Sequence, residues 1–158
     1  MNFPDRIFTE REIEQARKLI GAGYKHEIEI EGSPEFKEKV KNALRLIEEA
    51  GYYDFLRTYI KKIKEIDGFT QLREYEACIW ANKYAVENPV DAASLFIQKA
   101  YCMREYLDGK PYYGGEFERR SIDQRIEFLR KLKEKTRNEK VKNECEVLLS
   151  KWEESVFL

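Results

Sequence analysis

The chain has 158 residues, which is enough for one domain with a substantial core and too few for two domains of ordinary size. Charged residues make up 37% of it and sum to a net charge of −1, so no overall field favours nucleic acid or a membrane surface as a partner. The dense, balanced use of Lys and Glu is typical of heat-adapted proteins, although exposed helical faces also produce it.

The N-terminus and the cysteines favour a cytoplasmic location. Residues 1–6 lack the apolar core of a signal peptide, and no apolar run reaches the length of a membrane span. The three cysteines, Cys78, Cys102 and Cys145, are far apart and form no CxxC pair. We therefore expect a cytoplasmic protein with reduced, mostly buried thiols and no membrane partner.

The first predicted elements are a helix and a strand. Thr9 and Glu12 form a capping-box pattern, which predicts a helix that ends at residues 21–23. Residues 26–31 alternate polar and apolar side chains strictly, which predicts the one short β element. That strand needs a partner, for which residues 3–8 or another subunit are candidates. His26, the only histidine, is expected in solvent on an exposed strand face.

Capping residues and helical periodicity predict the other elements. The predicted helices after the strand cover residues 34–50, 52–66, 71–87, 89–108, 116–135 and 137 onward. Ser33, Thr70 and Thr136 are the expected caps of three of them. We therefore expect a mainly α fold, α+β at most, with a single domain over residues 1–158 and about seven helices.

The helix predicted for residues 89–108 is the one around which the chain is organised. Asn88 suits its N-cap, Pro89 its first position and Gly109 the left-handed residue after its last turn. Apolar residues lie on nearly all of its sides, which is typical of a buried helix. This helix is therefore expected at the centre of the core.

Gln98 and Cys102 lie one turn apart within this helix and face the same side. Histidines at that spacing chelate zinc in many metallohydrolases, commonly with a glutamate from the following helix as third ligand. An acid beside the first histidine then acts as general base toward the zinc-bound water. Gln98, Lys99 and Cys102 occupy the corresponding positions here, and Glu118 lies in the next predicted helix.

Two segments of the chain resemble a family of small zincin-like proteins. They are residues 29–40 (EIEGSPEFKEKV) and residues 93–102 (ASLFIQKAYC), the second followed by GKP at 109–111 and GEFER at 115–119. In that family the second segment reads A-S-x-x-[VI]-H-D-A-x-H, then G-K-P and G-x-x-x-E, and the metal site rests on the two histidines and the glutamate. The resemblance covers about residues 26–132 and implies a zincin-like scaffold.

The resemblance also shows which site residues are substituted. Gln98 and Cys102 stand in place of the histidines, Lys99 stands in place of the acid, and Glu118 is kept. Gln, Cys and Glu are not a ligand set that zinc sites normally use. This implies a catalytically silent relative, with no metal or other cofactor, that binds a protein or peptide in the former active-site cleft. We further predict an ion pair between Lys99 and Glu118.

Other interpretations of these residues stay open. Gln98 and Cys102 can be ordinary helix residues, the first hydrogen-bonded and the second packed as a small apolar group. The chain can also be an active hydrolase with a divergent site, although Cys102 has no histidine partner for nucleophilic catalysis.

Two surface features complete the candidates. Tyr112 and Tyr113, in the loop between Lys110 and Gly115, form either a lip of the cleft or a lid over the core. The basic face at residues 119–142 can track phosphates in a nucleic-acid-associated protein. Its interspersed acidic residues favour a solvated outer face and argue against a nucleic-acid partner.

Overall fold

The computed structural model describes residues 2–110 and 114–156. Six α-helices lie in this part of the chain: α1 (Glu10–Gly21), α2 (Pro34–Glu49), α3 (Tyr53–Tyr59), α4 (Pro89–Leu107), α5 (Gly115–Lys135) and α6 (Glu139–Val156). The same residues form four strands: β1 (Glu29–Glu31), β2 (Lys62–Ile66), β3 (Gln71–Arg73) and β4 (Cys78–Asn82). The predicted mainly helical fold is confirmed, whereas the prediction of about seven helices with one β element is wrong in detail.

The strands form one mixed sheet in the order β1-β2-β4-β3, in which only β3 runs antiparallel to its neighbour. Ile63 lies opposite Ile30 and Ile79, and Ile79 lies opposite Leu72, so these four residues form a row on the face that packs against the core. The predicted strand therefore pairs with β2 and not with residues 3–8.

Two of the predicted helices are wrong because their segments enter this sheet. The segment predicted as a helix over residues 52–66 leaves the helical conformation at Ile60 (φ −116°, ψ 122°) and continues as β2 between β1 and β4. The segment predicted as a helix over residues 71–87 forms β3, β4 and two short 3₁₀ turns, Glu74–Glu76 and Lys83–Val86. Ala77, between β3 and β4, has the left-handed φ of 51°, which no α-helix accommodates.

The capping predictions are confirmed at three helices. Thr9 and Glu12 form the reciprocal capping box of α1, and Ser33 Oγ accepts from the Phe36 N–H at the start of α2. Asn88 Oδ1 accepts two N–H groups at the start of α4. The last helix begins later than predicted, because the side chain of Asn138 caps it instead of that of Thr136.

Helix α4 lies at the centre of the core, as predicted. Its buried residues include Ala92, Phe96, Ile97, Ala100 and Met103, which are all fully buried. The helix packs against α2, α3 and α5, so side chains on several of its sides are removed from water. No helix within the described residues is both long and apolar enough to pass through a bilayer.

His26 is buried, which corrects the prediction that it lies in solvent. Its side chain is 3% exposed, and the rings of Phe3 and Tyr24 lie 4.5 and 5.1 Å from its ring. Burial, together with the nearby charge of Lys61, lowers the pKa of His26 to about 4. The N-terminal segment folds over this histidine, a contact that the alternating pattern of residues 26–31 cannot reveal.

Candidate functional site

A cleft of about 460 Å³ lies between α4 and α5. Gln98, Lys99 and Cys102 line it from α4, and Glu118 lines it from α5. The residues at 98, 99 and 102 share one side of a helix because of the 3.6-residue repeat, and the packing of α5 on α4 brings in position 118. The four residues that the sequence singles out therefore meet in one cavity.

Gln98 is held by two side chains of α5. Its Nε2 donates to Ser121 Oγ at 3.0 Å, and its Oε1 accepts from Arg125 Nη1 at 3.2 Å. Ser121 Oγ in turn donates to the carbonyl oxygen of Glu118, at 2.8 Å. Both polar atoms of the Gln98 side chain are thus engaged, so its orientation is fixed by the packing of the two helices.

Arg125 is the residue that organises this cleft, and the sequence-based candidates did not include it. It is 6% exposed, and its Nη2 lies 2.8 Å from Asp91 Oδ1 while its Nε donates to Ser94 Oγ at 3.2 Å. Its guanidinium carbon lies 4.4 Å from the centre of the Trp152 ring. Burial lowers the pKa of Arg125, and the Asp91 carboxylate opposes that shift.

A sequence signal for Arg125 does exist. It follows Glu118 by two helical turns, so both residues lie on the same side of α5. Apolar residues of α5 lie within about one turn of Arg125, namely Ile122, Phe128 and Leu129. A charged residue among apolar residues at helical spacing indicates a side chain that faces inward. The general basic character of residues 119–142 conceals this signal, because Arg125 looks like one more cation of a solvated face.

Cys102 is packed as a small apolar group. It is 8% exposed and belongs to a small buried cluster with Tyr101 and Phe117. Burial raises the pKa of its thiol to about 11, although the nearby charge of Lys99 opposes the shift. A thiol with such a pKa is protonated near neutrality, which makes it a poor nucleophile and a poor metal ligand.

Lys99 and Glu118 line the same cleft but form no ion pair among the residues that the structure describes. Lys99 is half-buried and Glu118 is exposed. The predicted pairing of these two residues is therefore wrong. Its physical premise does not apply, because Glu118 stays in contact with water and its charge needs no partner. Arg125 is instead the cation that is hydrogen-bonded to a site residue, Gln98.

The donor set at positions 98, 102 and 118 does not fit zinc. The amide of Gln98 is committed to Ser121 and Arg125, and the buried guanidinium would repel a divalent cation at that position. The Cys102 thiol would have to lose a proton that burial holds in place. Within residues 2–110 and 114–156, no group of three His, Cys, Asp or Glu side chains is arranged to hold a metal ion.

The two surface candidates have different outcomes. Tyr112 and Tyr113, the candidates for a lip of the cleft or a lid over the core, lie outside the described residues. On the basic face, three cations that point outward each pair with an acidic side chain: Arg130 with Glu153, Lys131 with Glu134, and Lys133 with Glu146. Arg125 is the exception to the solvated-face prediction, since it turns inward.

Comparison of the chain with protein-family models, with curated proteins and with solved structures finds no match.

Proposed function

We propose that this chain is a non-hydrolytic relative of small zincin-like metallohydrolases, and that it binds a peptide segment of a partner protein in the cleft between α4 and α5. The observation that carries the proposal is the shared cavity. Positions 98, 102 and 118 all line it, as the resemblance requires of the three metal-binding positions. At the first of these positions the side chain is hydrogen-bonded to a buried arginine.

The chemistry of the cleft favours binding over reaction. A hydrolase needs a nucleophile or an activated water together with a general base. The Cys102 thiol has a raised pKa of about 11, and His26 lies in a separate aromatic cage and does not line the cleft. Lys99 occupies the position of the general base with the opposite charge. These features support a scaffold whose cavity is retained while its reactive groups are replaced.

An extended peptide is the ligand that the surroundings of the cleft favour. Strand β3 is one of the two edge strands of the sheet, and its Leu72 lines the same cavity as α4. An edge strand offers unpaired backbone groups to which an extended segment can add as a further strand. Ile122 and Trp152 give the cavity apolar walls on which the side chains of such a segment can pack.

A displayed library of random peptides, selected against the purified chain, tests the proposal. We expect enriched peptides whose binding is lost in Ile122→Trp, because the larger ring fills the cavity. The matched control is Val147→Trp, since Val147 is 51% exposed on α6 and does not line the cleft. Absence of any enriched peptide, or equal loss in both variants, would contradict the proposal.

A second measurement separates this function from that of an active hydrolase. The chain is incubated with a mixture of fluorescence-quenched peptides, with and without a metal chelator. We expect no cleavage above that of Ile122→Trp prepared in the same way. Cleavage that the chelator stops and that Ile122→Trp lacks would identify an active enzyme and would replace our proposal.

A further inference from the structure

The inner part of the cleft offers hydrogen-bond donors. Gln98 Nε2 has two hydrogens and Arg125 Nη1 has two, and each nitrogen uses one of them in the contacts with Ser121 and Gln98. Within the described part of the chain this leaves one N–H on each nitrogen without an acceptor. The acceptor atom of the same amide, Gln98 Oε1, is already occupied by Arg125.

Lys99 adds a positive charge to the same cavity. Lys99 lines the cavity from α4, and it forms no salt bridge within the described residues. A half-buried lysine beside unfilled N–H donors is an arrangement that attracts an anion. Arg125 contributes less net charge, because Asp91 pairs with it.

The other charged residues that line the cleft limit the kind of anion. Glu74 and Glu118 are both acidic, so a dianion such as phosphate would experience repulsion that a single carboxylate partly escapes. The exposed carboxylate of Glu118 favours an amide N–H group or a cation elsewhere on the ligand. This combination fits a peptide that carries one carboxylate at its anchoring point.

We propose, on the basis of the function proposed above, that the cleft anchors its peptide ligand through one carboxylate, which is bound by the Lys99 ammonium and by the free N–H groups of Gln98 and Arg125. The carboxylate belongs either to the C-terminus of the peptide or to an Asp or Glu side chain. Both sources present the same chemistry to the three donors.

Titration of the full chain with sodium propionate, followed in proton–nitrogen correlation spectra, tests the anchor directly. We expect saturable shifts in the side-chain N–H signals of Gln98 and Arg125. Propionamide, inorganic phosphate and sodium chloride at equal ionic strength should leave these signals almost unchanged. N-acetylleucine and the α-amide of N-acetylglutamic acid then represent the two carboxylate sources, and the tighter of the two assigns the anchor.

Variants at Lys99 make the test specific. Lys99→Gln should weaken propionate binding by about tenfold, the usual effect of losing one charge-assisted hydrogen bond. Lys99→Arg should bind within about threefold of the native chain, because the charge is kept. Lys131→Gln, on the outer surface of α5, is the matched control and should change nothing.

The anchor is overturned if propionamide binds as tightly as propionate, if phosphate binds more tightly, or if Lys99→Gln has no effect. These outcomes leave the proposed function standing when peptides selected by display still lose binding in Ile122→Trp. Conversely, propionate binding without any enriched peptide would overturn the proposed function, because the carboxylate site would then serve a small molecule.

Discussion

Arg125 Nη1 lies 3.2 Å from Gln98 Oε1, so a buried guanidinium of α5 is hydrogen-bonded to an amide of α4. The same guanidinium pairs at 2.8 Å with Asp91, which lies about two helical turns before Gln98 in α4. One side chain thereby connects the two helices at several points. The geometry of the cleft depends on this connection.

Removing the guanidinium should destabilise the fold. Arg125→Ala should lower the free energy of unfolding by about 3 kcal/mol, because a partly buried Asp91 and the Gln98 amide lose their partner. Urea unfolding measures this, and a double-mutant cycle with Asp91→Ala should give a coupling of about 1 kcal/mol or more. A loss below about 0.5 kcal/mol in Arg125→Ala would show that the network adds little to stability.

The outward cations of the same helix should behave differently. Replacing Arg130, Lys131 and Lys133 by Glu should leave the fold intact, because their ion pairs lie in solvent and each contributes only about 0.5 kcal/mol or less. Thermal unfolding of the three single variants checks this. A fall in melting temperature as large as that caused by Arg125→Ala would contradict the solvated-face assignment of these residues.

His26 should make stability depend on pH. Its pKa in the folded chain is about 4, below the ordinary value of 6.5, so the unfolded chain binds the proton more readily. The free energy of unfolding should therefore fall as the pH is lowered from the ordinary His value of 6.5 to about 4, by a total on the order of 3 kcal/mol. Urea unfolding of the native chain and of His26→Phe at about pH 7 and about pH 5 isolates the effect, since carboxylates titrate mostly lower. If the free energy of unfolding changes equally between the two pH values in both proteins, the prediction is refuted.

The three cysteines should be almost unreactive in the folded chain. Burial raises the pKa values of Cys78, Cys102 and Cys145 to about 11, so little thiolate is present near neutrality. A disulfide reagent should modify them at least about a hundredfold more slowly than it modifies the urea-unfolded chain. Rapid modification of Cys102 in the native protein, located by mass spectrometry, would show an activated thiol and favour a catalytic role.

Metal binding should appear only after several substitutions. The native chain should contain no stoichiometric zinc by elemental analysis, because neither Gln98 nor Cys102 supplies an imidazole nitrogen and the Cys102 thiol stays protonated. The triple variant Gln98→His, Lys99→Asp, Cys102→His should gain zinc affinity, and adding Arg125→Leu should raise it further by removing the cation beside position 98. Native protein that keeps about one zinc through dialysis and loses it in Cys102→Ala would contradict the first expectation. A folded quadruple variant without zinc affinity would argue against the zincin-like ancestry.

Much of the helical structure could be predicted because its determinants are local. The caps at Thr9, Ser33 and Asn88 bond to N–H groups within three residues, and such bonds form whatever the rest of the chain does. The burial of α4 also follows from its own residues, since apolar side chains on nearly every side must be covered. Strand β2 has no such local signature, because Ile63 of the strand continues the helical spacing of Phe55 and Tyr59 in α3.

The candidate site, too, was predictable where it depends on local geometry and unpredictable where it depends on contacts between elements. The helical repeat alone places Gln98 and Cys102 on one side of α4, so the sequence by itself determined that these two side chains face the same part of the protein. Only the tertiary structure decided which residues of other elements lie against them. The pairing of β2 with β1 and β4 needs backbone partners from distant segments, and the contact of Gln98 with Arg125 joins residues of two helices. Interactions of this kind depend on how complete elements pack, and no short stretch of sequence contains both partners.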